Sequence, residues 1–246
     1  MFAIISHDEV APEYFCMRIA SSEIAARALP GQFVMLKTQT ESYDPLLRIP
    51  LAIHQIHSDG ISVLYHVVGT GTKILSQKKV GDAIDVLGPL GNGFKVTKHP
   101  EALLVAGGFG IAPLYALAEE LHKKQKKVKL FIGAKSKAHV IGAKSFKQLE
   151  VEVNIITEDG SLGEQGLVTD FILPHLSGDV TLYASGPNAM LQAVAAITKQ
   201  AKVATQLSLE AYMACGIGVC RGCAIKTNDG YKMCCKDGPV FSADVL

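Results

Sequence analysis

Five of the six cysteines in this 246-residue chain fall between positions 215 and 235, and they restrict its C-terminal end more than any other feature. Cys215, Cys220 and Cys223 are spaced C-x4-C-x2-C, and the pair Cys234-Cys235 follows. Closed by a distant fourth cysteine, this is the ligand spacing of plant-type [2Fe–2S] clusters. Thiolates are soft ligands, so four in one small region select iron–sulfur or zinc over hard cations. Structural zinc sites favour two C-x2-C pairs and only one is present here, so an iron–sulfur centre is expected. Gly216, Gly218 and Gly222 let backbone N–H groups fold over the sulfides. By spacing alone the fourth ligand is either Cys234 or Cys235. The chain is expected to handle single electrons.

Lys+Arg number 24 against Asp+Glu 23, a formal charge of +1, which implies no nucleic-acid partner. The opening MFAIISHDEVAPEYF lacks a basic segment followed by a long apolar one, so no secretory signal is read. A reducing cytoplasm then suits thiolate ligands better than disulfides. The longest uncharged stretch, Ala102 to Ala118, is interrupted by Gly107, Gly108, Gly110 and Pro113. It reads as strand, turn and helix rather than as a membrane span. The length suits two compact domains with a small appendage.

From residue 1 to about 98 the signals are short strands between turns: Gln32 to Thr38, Leu51 to Ile56, Ile61 to Val68 and Ala83 to Leu87. Ser58-Asp59-Gly60 is expected to connect a hairpin because Asp and Gly tolerate positive φ. Without helical periodicity between them, such strands predict a closed antiparallel sheet. Near residue 100 the pattern changes. Ala102–Ala106 is a buried-strand run, then Gly107-Gly108-Phe109-Gly110 turns the chain into a helix with Pro113 in its first turn. That helix carries Leu114, Leu117, Ala118 and Leu121 on one face. Strands at 128–134, 153–157 and 180–184 alternate with helical segments, predicting a doubly wound α/β sheet. Glycines between strand and helix either pack a tight turn or let a phosphate reach free N–H groups. Ser185-Gly186-Pro187 repeats the arrangement. The full G-x-G-x-x-G fingerprint is absent, and Lys135, Ser136 and Lys137 stand where a ribose-binding carboxylate is usual.

With these pieces in order, the chain resembles the ferredoxin–NADP reductase superfamily, and within it the electron-transfer subunits of type 1B dihydroorotate dehydrogenases. The most specific stretches are Met213 to Cys220 and Cys235-Lys236-Asp237-Gly238-Pro239-Val240-Phe241. Gly88 to Phe94, Gly69 to Lys73, Ala106 to Leu114 and Thr157 to Ser161 support them. The resemblance implies a flavin-binding β-barrel domain at 1–98, a nicotinamide-nucleotide domain at 99–205 and a cluster segment at 206–246. It implies FAD, a [2Fe–2S] cluster and NAD+ as acceptor. It also implies a catalytic subunit carrying FMN and oxidising dihydroorotate, assembled as a heterotetramer for pyrimidine synthesis. Electrons would pass from FMN through the cluster to FAD and leave as hydride. The Asp-Gly-Pro-Val-Phe context identifies Cys235 as the fourth ligand. Neighbours in an extended segment point opposite ways, which separates it from Cys234.

Two departures bear on the cofactors. Where relatives read Arg-Pro-Ile/Leu-Ser after another Arg, this chain reads Ile49-Pro50-Leu51-Ala52 after Arg48. A one-residue shift in a strand turns a side chain to the other face, so Arg48 is either a displaced flavin contact or a solvated charge. FAD is then expected to bind with an altered pyrophosphate clamp, through Leu64, Tyr65, His66 and the Gly71-Thr72 turn. Tyr65 and His66, read without the family, are ordinary packing residues. Second, Ser185 stands where relatives carry Cys near the nicotinamide.

Overall fold

The structure is a computed structural model that describes residues 1–38 and 44–245. The ranges 1–98 and 206–246 therefore each include residues outside the described ones. Six strands close into an antiparallel barrel: β1 (Phe2–Ala11), β2 (Tyr14–Ala20), β3 (Phe33–Lys37), β4 (Ile49–Ile56), β5 (Gly60–His66) and β6 (Ala83–Leu90). Their spatial order is β1-β2-β5-β4-β3-β6, the closed sheet that the strand spacing predicts. Ile61, Val63 and Tyr65 of β5 face the barrel core with Met17, Val34 and Ile53, whereas Leu64 joins a core on the other side. Short helices α1 (Ser22–Arg27) and α2 (Thr70–Ser76) add Ile24 and Leu75 to the barrel interior.

The β4–β5 hairpin forms, but not for the reason read from Asp59 and Gly60, since neither has positive φ. A β-carbon on Gly60 would collide with the Ile19 carbonyl of β2. Glycine is required there by the close approach of a third strand.

The second sheet is built from β7 (Glu101–Gly107), α3 (Leu114–Lys123), β8 (Lys127–Ala134), α4 (Ala143–Gln148), β9 (Glu152–Thr157), β10 (Glu164–Gln165), α5 (Val168–Ile172), β11 (Val180–Ser185), α6 (Asn188–Ala201) and β12 (Ala204–Ser208). Strands β10-β9-β8-β7-β11-β12 run parallel in that order. Alternate residues of β7 serve opposite faces, as strand geometry requires. Ala102, Leu104 and Ala106 pack with Leu114, Leu117 and Leu121 of α3, while Leu103 and Val105 pack with Leu191 and Val194 of α6. A sheet covered on both faces is the doubly wound arrangement.

The C-terminal chain is more integrated than an appendage. A hairpin of β13 (Ala224–Thr227) and β14 (Gly230–Met233) leads into a helical turn, α7 (Cys234–Asp237), and then β15 (Val240–Ser242). β15 pairs antiparallel with β12 and completes the seven-stranded sheet. The division drawn between 205 and 206 thus falls inside β12. The physical reason is that β12 would otherwise be a bare edge, and Val240 and Phe241 need burial. Among the described residues no helix is long and apolar enough to cross a membrane.

The barrel meets the sheet where His54 of β4 faces α3. Its Nδ1 donates to the Ala112 carbonyl at 2.9 Å, and its ring lies 4.9 Å from that of Tyr115. Burial holds the imidazole pKa below its ordinary 6.5, outweighing the raising effect of the Ala112 carbonyl. The folded chain therefore takes up this proton less readily than the unfolded chain does. Its stabilising effect is complete above about pH 6.5 and is lost as pH falls below it. Unfolding midpoints in urea are expected to drop between pH 7.5 and 5.5. His54→Gln, which keeps a donor without a titration, is expected to flatten that drop; an unchanged slope would place the titration elsewhere.

Candidate cysteine centre and two cofactor cavities

Between β12 and β13 the chain forms a tight loop over the barrel. Gly216 and Gly218 have φ of +72° and +82°, and a β-carbon on Gly216 would lie 2.7 Å from Met35 Cγ of β3. Glycine thus serves both the left-handed backbone and the close approach. The loop's amides point at sulfur. Gly218 N–H donates to Cys235 Sγ at 3.1 Å, Cys220 N–H to Cys215 Sγ at 3.5 Å, Gly222 N–H to Cys220 Sγ at 3.4 Å and Cys235 N–H to Cys223 Sγ at 3.4 Å. All four expected ligand sulfurs accept a backbone N–H, the contact that favours thiolate.

Cys234 behaves differently: it is fully buried and its thiol donates to the Leu209 carbonyl at 3.4 Å. The two neighbours do not lie in an extended segment, as the sequence argument assumed, but in the first turn of α7. One residue along a helix turns the side chain by roughly 100° rather than 180°. That still sends one sulfur to the core and the other to the loop.

Cys215 and Cys220 are linked as one pair, Cys223 and Cys235 as another. Among the described residues no group of three His, Cys, Asp or Glu is gathered for a single metal ion. Two linked pairs suit a centre of two irons with four thiolates better than one tetrahedral ion. Backbone N–H donation, chiefly from Cys220 and Ile217, holds the Cys215 thiol down to about 6, while burial pushes Cys235 up to about 12. Cys215 is therefore poised as thiolate, whereas Cys235 gives up its proton when a metal displaces it.

The Gly88–Phe94 turn is what fixes α7 to the barrel. Asn92 Nδ2 donates to the Lys236 and Asp237 carbonyls at 3.1 and 2.9 Å, and Asp237 Oδ2 accepts from Met233 N–H at 2.6 Å.

A cavity of about 530 Å³ opens between the barrel and the start of the cysteine segment. It gathers Ile49, Pro50, Leu51, Ala52, Tyr65, His66, Thr72 and Ser185 from the expected flavin and nucleotide residues. Leu64 and Gly71 do not line it, and neither does Arg48. Arg48 is held in an ion pair: its Nη2 donates to Asp85 Oδ2 at 2.6 Å, with its side chain 28% exposed. This ion pair holds the Asp85 carboxyl below its ordinary range. The Tyr65 ring is fully buried and shares a 2.7 Å hydrogen bond with His7 Nε2. The cavity also takes Phe109, Glu210 and Tyr212, which sequence reading missed. They come from a turn and a strap that only the folded chain brings to the barrel.

A second cavity of about 440 Å³ lies at the carboxyl ends of β7, β8 and β9 and is lined by Gly107, Gly108 and Pro187. Gly110 and Gly186 stay behind it, where they hold the two turns together. A β-carbon on Gly110 would strike the Ser185 carbonyl, and one on Gly186 would lie 2.9 Å from Gly107 Cα. Lys135 lines the cavity, as does Glu158 at the end of β9. The cavity thus has a carboxylate one strand beyond the position after β8 where one is usual. Ser136 and Lys137 do not line it: the Ser136 hydroxyl bonds His139, which does, and the Lys137 backbone N–H donates to Ser161 Oγ. The cavities share a wall: Tyr14 of the second stacks on His66 of the first, ring centroids 4.1 Å apart. Ser185 and Pro187, two residues apart, also face one cavity each.

Comparison with known proteins finds relatives over nearly the whole chain. A family model described as the iron-sulfur cluster binding domain of dihydroorotate dehydrogenase B matches residues 210–246, and an oxidoreductase NAD-binding domain matches 104–196. The dihydroorotate dehydrogenase B (NAD(+)) electron transfer subunit of Desulforamulus reducens is 39% identical over 94% of this chain and 92% of its own. That of Listeria monocytogenes is 41% identical over 98% and 96%. A solved NADH-dependent reduced ferredoxin-NADP oxidoreductase is similar over 100% of this chain and 89% of its own, with 31% identity and a TM-score of 0.88. A ferredoxin NADP+ reductase from Neisseria gonorrhoeae, solved with FAD and NADP, shares the fold at 15% identity and a TM-score of 0.67.

Proposed function

Since the chain belongs to the family of dihydroorotate dehydrogenase B electron transfer subunits, we propose that it is the NAD+-reducing subunit of such a complex in pyrimidine synthesis. Its partner is the catalytic subunit that carries FMN and oxidises dihydroorotate, in a heterotetramer within the cytoplasm. Cys215, Cys220, Cys223 and Cys235 hold a [2Fe–2S] cluster, the larger cavity holds FAD, and the smaller one takes NAD+. Bound there, the cluster and the flavin supply the exchange between one-electron and two-electron transfer.

The chain's own residues have three tasks. Backbone amides of the 216–222 loop stabilise charge on Cys215, Cys220 and Cys235, and the Cys235 amide does so on Cys223. Tyr65, His66 and Phe109 wall the flavin cavity, and the Tyr14–His66 wall sets it beside the nucleotide cavity. Glu158 in that second cavity favours a ribose diol over a 2′-phosphate, consistent with NAD+. Tyr212, Ile217, Val219 and Tyr231 are exposed apolar side chains, three of them more than 70% exposed, around the cysteine segment. A group of this kind suits an interface, and it is where the partner's flavin must approach. The ranges 1–98, 99–205 and 206–246 serve as functional divisions, the last two sharing one sheet.

What carries the reading is the sequence of neighbours: a four-cysteine centre, a large cavity against it, and a nucleotide cavity across one aromatic wall. Co-expression with an FMN-bearing dihydroorotate-oxidising subunit is expected to yield a complex containing iron, sulfide and FAD that forms NADH when given dihydroorotate. Colourless protein with bound zinc and no flavin would overturn it. A second reading rests on the likeness to the ferredoxin-NADP oxidoreductase: the chain serves a ferredoxin-linked complex. NADH formation from reduced ferredoxin, with no response to dihydroorotate, would favour that one.

A further inference from the structure

We infer that the larger cavity grips a flavin by its ring and ribityl chain and not by its diphosphate, so that FAD is held scarcely more tightly than riboflavin, with Ile49 setting this indifference. The inference rests on reading that cavity as the flavin site.

A diphosphate is recognised by cations and by free N–H or O–H donors. No Lys or Arg lines the cavity among the described residues, and Glu210 is its one carboxylate. Residues 39–43, outside the described ones, contain no Lys or Arg either. The nearest guanidinium in sequence, Arg48, is bound to the Asp85 carboxylate at 2.6 Å and to the Asp85 carbonyl at 3.3 Å. Moving it to a phosphate would strand a half-buried carboxylate.

At the turn into α2 the side-chain donor and the amides leading into the helix are occupied as well. Thr72 Oγ1 accepts from the N–H groups of Val68 and Gly69 at 3.0 and 3.2 Å and donates to the Gly69 carbonyl at 3.0 Å. The hydroxyl and those two amides are therefore satisfied within the chain. Over the same turn lies Ile49: a β-carbon on Gly71 would sit 2.6 Å from Ile49 Cδ1. The isoleucine thus lays a methyl group on a surface where backbone would otherwise face an anion. Charged oxygens set against it would lose hydration without gaining a partner. The rest of the cavity has the opposite character. Pro50, His66 and Phe109 present apolar and aromatic surface suited to a planar ring.

The test is flavin binding by the full chain as purified and then freed of flavin, followed by fluorescence quenching with FAD, FMN and riboflavin. Wild-type dissociation constants for FAD and riboflavin are expected to agree within about tenfold; a larger preference for FAD would overturn the inference. Ile49→Arg is expected to tighten FAD about tenfold to a hundredfold and leave riboflavin unchanged. An Ile49→Arg protein that folds without that selective gain would count against it. Lys73 is an exposed cation on α2, one residue after Thr72 of the cavity wall, and Lys73→Ala is expected to leave the FAD-to-riboflavin ratio unchanged. A selective loss of FAD there would show a cationic clamp after all. Absence of binding by any of the three flavins would instead remove the reading of the cavity as a flavin site.

Discussion

Cys235→Ser is expected to leave the protein almost without iron and acid-labile sulfide, while Cys234→Ser keeps the full complement of both. The two residues are adjacent and both are buried, so neither burial nor position in the chain separates them. Their partners do. Cys235 Sγ faces the loop and accepts the Gly218 amide at 3.1 Å, and its own amide donates to Cys223 Sγ. It therefore closes the arrangement that joins the two cysteine pairs. A serine oxygen is a harder ligand with a shorter reach, and one such change in four would weaken the protein's hold on the cluster. Cys234 Sγ–H instead donates to the Leu209 carbonyl within a core shared with Leu182, Leu207 and Phe241. Serine there keeps the donor but buries a more polar group, for a stability loss of about 1–3 kcal/mol. Iron and sulfide analysis, with the electron paramagnetic resonance signal of the reduced protein, reads the first effect; urea unfolding reads the second. A Cys234→Ser protein without cluster signal would move the ligand assignment to that residue.

The legible parts of this molecule were those set by local pattern. Strands β3 to β9 and β11 follow from apolar runs between turn residues, and α3 from the spacing of Leu114, Leu117 and Leu121. The cysteine set follows from ligand spacing together with its flanking residues. What escaped depends on distant parts of the chain. Nothing near Val240 says that it will pair with β12, because that pairing answers an exposed edge more than thirty residues earlier. Arg48 was weighed only against flavin and solvent, since Asp85 is remote in sequence. Asn92 looked like a turn residue, yet its side chain ties α7 to the barrel. The glycines show the limit most clearly. Composition marks where side chains are not tolerated, but only the fold tells whether backbone sign, a neighbouring chain or open space is the reason.

That distinction separates two glycines of one turn, and the larger effect belongs to the one that does not face the cavity. Gly110→Ala would drive a methyl group into the Ser185 carbonyl and to 2.6 Å from the Gly186 nitrogen. These are backbone atoms of the neighbouring turn and cannot swing aside as a side chain can. The substitution is expected to cost about 3 kcal/mol in equilibrium unfolding, at the upper end for overpacking. It is also expected to weaken NADH binding, because the β7 and β11 turns would no longer interlock beneath the nucleotide cavity. Gly108 has φ of +51° and no atom within 4 Å of a β-carbon, so Gly108→Ala meets no collision inside the protein. It costs only about 1 kcal/mol, from the left-handed backbone. Gly108 does line the cavity, so its added methyl group occupies space meant for ligand and lowers NADH affinity in a folded protein. Stability and affinity therefore fall together for Gly110→Ala and separate for Gly108→Ala. Urea unfolding of the cofactor-free chain and NADH titration on the same preparations distinguish the two. A Gly110→Ala protein within 1 kcal/mol of wild type would show slack between the turns. In that case the two turns would not be holding each other in place.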